Sequence, residues 1–512
     1  MISTTANWAT IVDLPNEILH EIFRSMDDDA LFAMLLLSKR LHNIAFEILV
    51  PQKRRRIRPQ AVAYTFTEIC HPPPQLIPSH LIITDMRVLR ALRLSISIHQ
   101  VGSLSVVAGF VTTAPPAGLD SNYTVPMVLT DVSRFMRGLA RLCRRIPQVQ
   151  TVDIDFMSSL SSGLASLPGG TAAAAEILTA ISIGHACISL KLGGWQIEAR
   201  PEANLKIPMP PPLTTLLVLN LSLTELIDPV FRAWAIGTIN ASRLTELVLN
   251  RVKFSVTSPT VDVLRLLDVP SLITFRIISP DVNFDDLLVF MRHHHRIQKL
   301  SVITIEPITS PEAFPEELLP NLSDLTAPPH YVSHLVKSPK SLARLHSITI
   351  HPGHEWDHHQ LTSTVVDRHL QDLEDCLDYM SCREKLATLA ICLPTGAHAE
   401  NWLQHGRGDG SKPRKDVEAN LVHITSLDIH DWCGFQAFSP AACKLLVRWL
   451  ALFPSLQSVR ILDGVRHMTS IQRSAFESEI WEHCPQLNSL GIGWHVKERG
   501  KSLFVVLSFS VI

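Results

Sequence analysis

The chain has 512 residues, of which 46% are apolar and 18% charged, and its formal net charge is −2. This balance excludes a mostly disordered chain and gives no global field for a nucleic acid or an anionic membrane. Length alone would suggest several domains, unless the chain is a repeat array.

Residues 13–51 predict three short helices. Pro15 suits the opening position of the first helix, and Glu17 suits its first turn. Leu14, Ile18, Leu19, Ile22, Phe23 and Met26 recur at spacings of three and four and make one apolar face. Asp27, Asp28 and Asp29 break that pattern and supply an N-cap for a second helix carrying Leu31, Phe32, Leu35 and Leu36. Ser38 caps a third helix with Leu41, Ile44, Ala45, Ile48 and Leu49, and Pro51 stops it. A unit this small buries little core by itself, so its surplus of large apolar residues predicts a partner surface, on another protein or on the rest of the chain.

Taken together, Leu14-Pro15, Glu17-Ile18-Leu19, Ile22-Phe23, Leu31, Ser38-Lys39-Arg40 and Ala45 resemble an F-box. The family often has Cys and Trp near the places held here by Ser38 and Leu41. The resemblance implies that Leu14, Pro15, Ile18, Leu19, Ile22, Phe23 and Leu31 dock on a Skp-type adaptor and, through it, on a cullin. Lys53-Arg54-Arg55-Arg56-Ile57-Arg58 follows and reads as a solvated linker at a helix C-terminus, where cations are favourable. Pro72, Pro73 and Pro74 stiffen the next turn. The expected division is an F-box at 11–52, a linker at 53–80 and a repeat domain at 81–512.

From about residue 80 a phrase recurs: apolar-x-x-apolar-x-apolar. It starts at residues 89, 149, 187, 213, 244, 272, 297, 322, 345, 386, 424, 456 and 487, as in Leu89-Leu92-Leu94 and Leu213-Leu216-Val218. Proline opens several of these phrases, and from 213 to 345 the starts lie 31, 28, 25, 25 and 23 residues apart. Such a period is similar to that of leucine-rich repeats. The expected fold class is α/β: a small three-helix F-box, then an irregular leucine-rich-repeat solenoid with a parallel sheet on its concave face. The last two apolar residues of each phrase point inward along a short strand. Segments such as SLTELIDPVFRAWAIGTI and NFDDLLVFMRHHH supply outer helices. The repeats are irregular, since Leu221, Val252 and Ser279 stand near places where the family often has an Asn or Cys ladder.

Among the outward positions, Glu246, Arg276, Lys299, Asp324, Asp428 and Arg460 are the charged candidates for binding a protein substrate. Thr215, Thr274, Ser301, Ser347, Thr349, Ser426 and Ser458 lie among them. Mixed charge suits a protein surface rather than a nucleic-acid backbone. The resemblance implies a substrate-recognition subunit of an SCF-type (Skp–cullin–F-box) ubiquitin ligase, which is not itself an enzyme and needs no cofactor. The alternative is an F-box scaffold acting without a cullin.

Enzymatic motifs are weak. His354-Glu355-Trp356-Asp357-His358 spells HExxH, with Glu374 as a conceivable third zinc ligand, but Pro352-Gly353 precede it and no helical run leads in. His293-His294-His295 ends a predicted helix, where it favours the dipole rather than a metal. Arg407-Gly408-Asp409 lies in a polar loop. Nine cysteines, an odd count without a CxxC pair, predict reduced thiols. The start of the chain lacks a basic stretch followed by an apolar core, and no apolar run is long enough to span a bilayer. The expected location is therefore the cytoplasm and/or nucleus, with no membrane contact.

Overall fold

The computed structural model describes residues 14–49 and, between 80 and 506, the strands and helices named below with their adjoining turns. The chain forms two compact units, one of Met1–Leu244 with Val252–Ser258 and one of Thr245–Arg251 with Pro259–Ile512.

The first unit opens with α1 (Asn16–Arg24), α2 (Asp28–Met34) and α3 (Lys39–Leu49). Then strands and helices alternate: β1 (His80–Ile83), α4 (Met86–Leu94), β2 (Ser103–Val107), α5 (Val132–Arg145), β3 (Thr151–Asp155), α6 (Gly170–Ile183), β4 (Ser189–Gly193), β5 (Val218–Ser222) and α7 (Pro229–Ala241). The strands pair in parallel in chain order, β1 to β5. Two further pairs, Phe110–Val111 with Met127–Val128 and Gln196–Ile197 with Glu225–Leu226, form separate two-stranded parallel sheets.

The second unit continues the pattern: β6 (Glu246–Asn250), the short α8 (Val261–Leu264), β7 (Thr274–Ile278), α9 (Phe284–His293), β8 (Lys299–Ile303), β9 (Asp324–Ala327), α10 (Pro329–Val336) and β10 (Ser347–Ile350). Next come α11 (Ser363–Met380), β11 (Thr388–Leu393), α12 (Ala397–His405), β12 (Ser426–Asp431), α13 (Pro440–Leu450), β13 (Ser458–Ile461), α14 (Ser470–His483) and β14 (Ser489–Ile492). Strands β6 to β14 are parallel. Two antiparallel strands, His495–Glu498 and Val505–Val506, close the edge. Within the apolar C-terminal run, Val505–Val506 supplies the last of these strands.

The repeating phrase explains this register. In β7, Phe275 and Ile277 are buried, and the parallel ladder sets them beside Leu247 and Leu249 on one side and Leu300 and Val302 on the other. The first apolar residue of each phrase, such as Leu272 or Ile297, is buried in the turn before its strand. Each unit therefore hides its apolar face against its neighbours, which makes the core continuous along the strand order of each unit.

Two phrases are placed differently. Leu89, Leu92 and Leu94 lie in α4, because the run MRVLRALRL puts Leu89 and Leu92 one helical turn apart, and both are buried. The strand expected there is β2, led by the phrase Val101-Leu104-Val106, all three buried. At 213 the frame moves by three: Leu216, Leu219 and Leu221 take the phrase positions, with Leu219 beside Leu190 and Leu221 beside Leu192. The run LTTLLVLNL fits the phrase in either frame, and pairing with β4 selects the second. Thr215 thereby falls before the strand, where its hydroxyl donates to the Cys187 carbonyl at 2.7 Å.

Burial also sets the histidines. His294 is not a solvated dipole partner: its Nδ1 donates to the Phe290 carbonyl at 2.7 Å, and its Nε2 accepts from the Val269 N–H at 3.0 Å. That pairing needs a neutral ring, and burial holds its pKa below the ordinary histidine value. His369 on α11 is more extreme, pushed down to about 4 by burial. Between pH 6.5 and about 4 the unfolded chain takes a proton at this site that the folded chain refuses, so stability falls as pH falls through that window. The loss is at most about 3 kcal/mol. Asp372, on the same helix, acts in the opposite sense. Burial and then Asp375 raise its carboxyl to about 6, so its contribution improves as pH falls from there toward 3.8. Thermal melts at pH 7 and pH 5 should separate the two groups. His369→Gln should lessen the loss of stability on acidification and Asp372→Asn should deepen it; the same slope in both variants would contradict this assignment.

Candidate functional site

The N-terminal bundle is built by a few local devices. Asp27 caps α2, its Oδ1 accepting from the Ala30 N–H at 2.8 Å. The Ser38 hydroxyl accepts from the Leu41 N–H at 3.2 Å and caps α3. Pro15 is the N-cap of α1 and brings no side-chain acceptor, so the entry is fixed from outside. Arg40 does this: its Nε donates to Asn16 Oδ1 at 2.8 Å and its Nη2 to the Leu14 carbonyl at 2.5 Å. His20 and Glu47, 3.0 Å apart, tie α1 to α3 a second time.

The expected docking residues divide into two groups. Leu19, Phe23 and Leu31 are buried, together with Phe32, Leu35, Leu41, Ile44 and Phe46, and form the bundle's own core. Leu19 and Phe23 are one helical turn apart, and so are Ile18 and Ile22 on the adjoining flank. Ile18 is 48% exposed, Ile22 and Leu14 are half-buried, and Pro15 is exposed. Residue pattern alone did not single out Leu36 and Leu37, in the turn after α2, as surface residues; they are 68% and 63% exposed. The accessible apolar surface of the bundle thus includes Pro15, Ile18, Leu36 and Leu37 with parts of Leu14 and Ile22.

A second contact holds the bundle's other side. The Arg90 guanidinium of α4 lies 4.1 Å above the Phe32 ring and 2.8 Å from Asp29 Oδ1. Helix α2 is thus pinned to α4 through Phe32 and Asp29.

On the sheet of the second unit the charged candidates have unequal fates. Register puts Glu246, Thr274, Lys299, Asp324 and Ser347 in one row, so Lys299 lies beside Asp324. Asp428 and Arg460 are lateral neighbours; Arg460 Nε donates to Asp428 Oδ1 at 2.8 Å, and its Nη2 bonds the other carboxylate oxygen. Asp428 is only 7% exposed. Gly491 leaves room for this fork, since a Cβ there would lie 3.1 Å from Arg460 Cγ. Asp428 and Arg460 consequently neutralise each other. Arg276 differs: its Nε is buried without a hydrogen-bond partner among the described residues, and desolvation lowers its pKa.

Burial raises the thiols of Cys143, Cys187 and Cys443 to about 12 and that of Cys484 to about 11, far from nucleophilic. Among the described residues no group of His, Cys, Asp and Glu is arranged to hold a metal. The HExxH string at 354–358, Arg407-Gly408-Asp409 and the basic cluster at 53–58 lie outside the described residues. Among the described residues no helix is long and apolar enough to cross a membrane.

Helical bundle and strand–helix repeats together define a modular α/β chain with an N-terminal helical unit. The F-box domain family matches residues 11–47. The chain accordingly carries an F-box domain, followed by a long, mostly parallel strand–helix repeat region of leucine-rich-repeat type. A search of curated proteins finds no match. Among solved structures, a Bacteroides fragilis protein is 10% identical with a TM-score of 0.29; the alignment covers 54% of this chain and 65% of that one, less than two thirds of its length. The yeast Rad7 and Elc1 complex gives a match at 10% identity and a TM-score of 0.31, covering 95% of this chain and 91% of that one.

Proposed function

We propose that this chain is the substrate-recognition subunit of an SCF-type ubiquitin ligase. The observation that carries the reading is an F-box domain at 11–47 whose own core is filled while Pro15, Ile18, Leu36 and Leu37 remain on its surface. Those residues, with Leu14 and Ile22, would dock on a Skp-type adaptor and through it reach a cullin. Leu19, Phe23 and Leu31 would act indirectly, by holding that surface in shape. The repeat region would bind a protein substrate, with Glu246, Arg276, Lys299, Asp324, Asp428 and Arg460 on its polar sheet face. Lys299 is exposed and Arg276 half-buried, so both can meet an anionic group on the substrate, whereas Asp428 and Arg460 already satisfy one another. Such a subunit does no bond-making itself; it raises the effective concentration of substrate lysines near the transfer site. Its place of action is the cytoplasm or the nucleus.

Co-expression of the whole chain with a Skp-type adaptor and a cullin, followed by mass spectrometry of the purified complex, tests this. Stoichiometric recovery of both is the expected result, and the additional proteins retained are candidate substrates. Adaptor without cullin would favour an F-box scaffold, and recovery of neither would overturn the proposal.

A further inference from the structure

Helices α4 and α5 pack together beside the F-box, and neither sequence, MRVLRALRL or VSRFMRGLARLCRR, contains a carboxylate. Arg134, Arg137, Arg141 and Arg144 are all exposed. Their spacing puts them on one stripe of α5, about 15 Å long at 1.5 Å per residue. The two helices approach closely at Gly138, where a Cβ would lie 3.0 Å from Leu89 Cδ2 and 3.7 Å from Arg93 Nη1. That approach carries the Arg93 guanidinium onto the α5 stripe, and the Arg145 Nη1 donates to the Arg93 carbonyl. Arg93 is accordingly held below its ordinary pKa, first by burial and then by Arg141, Arg134 and Arg90.

Local physics does not explain this concentration of charge. Like charges three and four residues apart on a helix destabilise it by about 0.2–0.5 kcal/mol per pair. The dipole favours a cation at Arg144, in the last turn, but opposes one at Arg134, in the first. Arg134, Arg141 and Arg144 have no ion-pair partner among the described residues. Arg134, Arg141 and Arg144, which weaken their own helix and meet no carboxylate among the described residues, point to an anion supplied from elsewhere.

We propose that the arginine face of α4 and α5 is a docking site for an acidic segment of another protein. Asp29 of the F-box already shows the chemistry, its carboxylate bound by Arg90 at the edge of this face. Other polyanions fit less well. Single-stranded nucleic acid needs aromatic platforms, and the one aromatic residue of these helices, Phe135, is fully buried. A membrane-surface helix inserts its apolar side, but Phe135, Met136, Leu139 and Leu142 of α5 are buried in the core. The whole chain, at a net charge of −2, would not attract a long polyanion from a distance. The site is independent of the adaptor-docking surface, so either proposal can fail without the other.

The test is fluorescence anisotropy of the full chain with labelled hexaglutamate, long enough when extended to follow the stripe. Binding should weaken steeply as salt rises. The double variant Arg134→Gln/Arg141→Gln should bind about tenfold more weakly. Arg134→Lys/Arg141→Lys should keep most of the affinity, and Lys444→Gln/Arg448→Gln on α13 should change nothing. Circular dichroism should match the parent in every case. Undiminished binding by the glutamine variant, an equal loss in the α13 control, or tighter binding of an RNA oligonucleotide or of phosphatidylserine vesicles would overturn the proposal.

Discussion

Gly194→Ala should destabilise the first unit by about 3 kcal/mol or more, the sum of a left-handed backbone penalty and a main-chain clash. Gly194 follows β4 with φ +67°, a region that costs an L-residue about 1–2 kcal/mol by itself. The larger part comes from its neighbour. A Cβ at this position would lie 1.9 Å from the Phe156 carbonyl oxygen and 2.8 Å from its carbonyl carbon. Those are backbone atoms and cannot swing aside as a flexible side chain would. Phe156 is held from both ends: its N–H donates to the Gly193 carbonyl at 2.9 Å, and its ring packs against Trp195 with centroids 5.4 Å apart, both side chains fully buried. Relief therefore requires the ends of β3 and β4 to separate, which also strains the 2.9 Å bond from the Gly194 N–H to the Ser222 carbonyl on β5. Gly493 provides the control. Its φ is +61°, but a Cβ there would meet nothing within 4 Å. Gly493→Ala should cost only about 1 kcal/mol, and Gly493→Asn less. Hydrogen exchange suits the comparison, because it resolves β3 and β4 from the rest of a two-unit chain. Equal loss of protection in the two alanine variants would show that the close approach at Phe156 is not rigid.

This glycine also marks where sequence reading stops. The phrase apolar-x-x-apolar-x-apolar exposes the strand positions because burial alternates along a strand, as at Phe275 and Ile277 about Arg276 or Val459 and Ile461 about Arg460. A backbone approach between residues 156 and 194 has no such period, so Gly194 reads only as one glycine in a loop. The two misplaced phrases fail for a related reason. A spacing of three is shared by a helix face and by the opening of the phrase, so Leu89 and Leu92 satisfy both; and a nearly continuous apolar run such as that from Leu213 to Leu221 satisfies two frames at once. In each case the choice is made by a partner strand or helix distant in sequence. The same holds for the sheet's charges: Asp428 and Arg460 are separated by a helix and a loop, and their mutual neutralisation follows only from the register of β12 with β13. In the F-box, helical spacing identifies an apolar side but does not divide it into the half turned inward and the half left outside. Arg40 illustrates the point from the polar side, since its grip on Leu14 and Asn16 crosses from α3 to the start of α1.

That division yields the second large effect. Ile18→Asp/Ile22→Asp should lower the affinity for a Skp-type adaptor by more than about a hundredfold while the chain stays folded. Ile18 lies in the first turns of α1, is 48% exposed, and tolerates a carboxylate there, since the N-terminal end of the dipole favours negative charge. Exposed substitutions of this kind change stability by about 0.5 kcal/mol. Ile22 is half-buried, so the single variant Ile18→Asp serves as the milder form. In an apolar interface the same carboxylate loses its water without gaining a partner, a penalty of several kcal/mol (about 3 or more) that appears in binding alone. Leu19→Asp supplies the opposite pattern. Leu19 is fully buried one residue away, so its carboxylate should unfold the bundle and remove binding together with the bundle's share of the helical signal. Leu36→Asp should follow Ile18→Asp, because Leu36 is 68% exposed on the same bundle. Pull-down titrations with circular dichroism on each variant distinguish the cases. If Ile18→Asp and Leu36→Asp bind the adaptor as the parent does, the exposed apolar residues of the F-box are not its docking surface, whatever Leu19→Asp does.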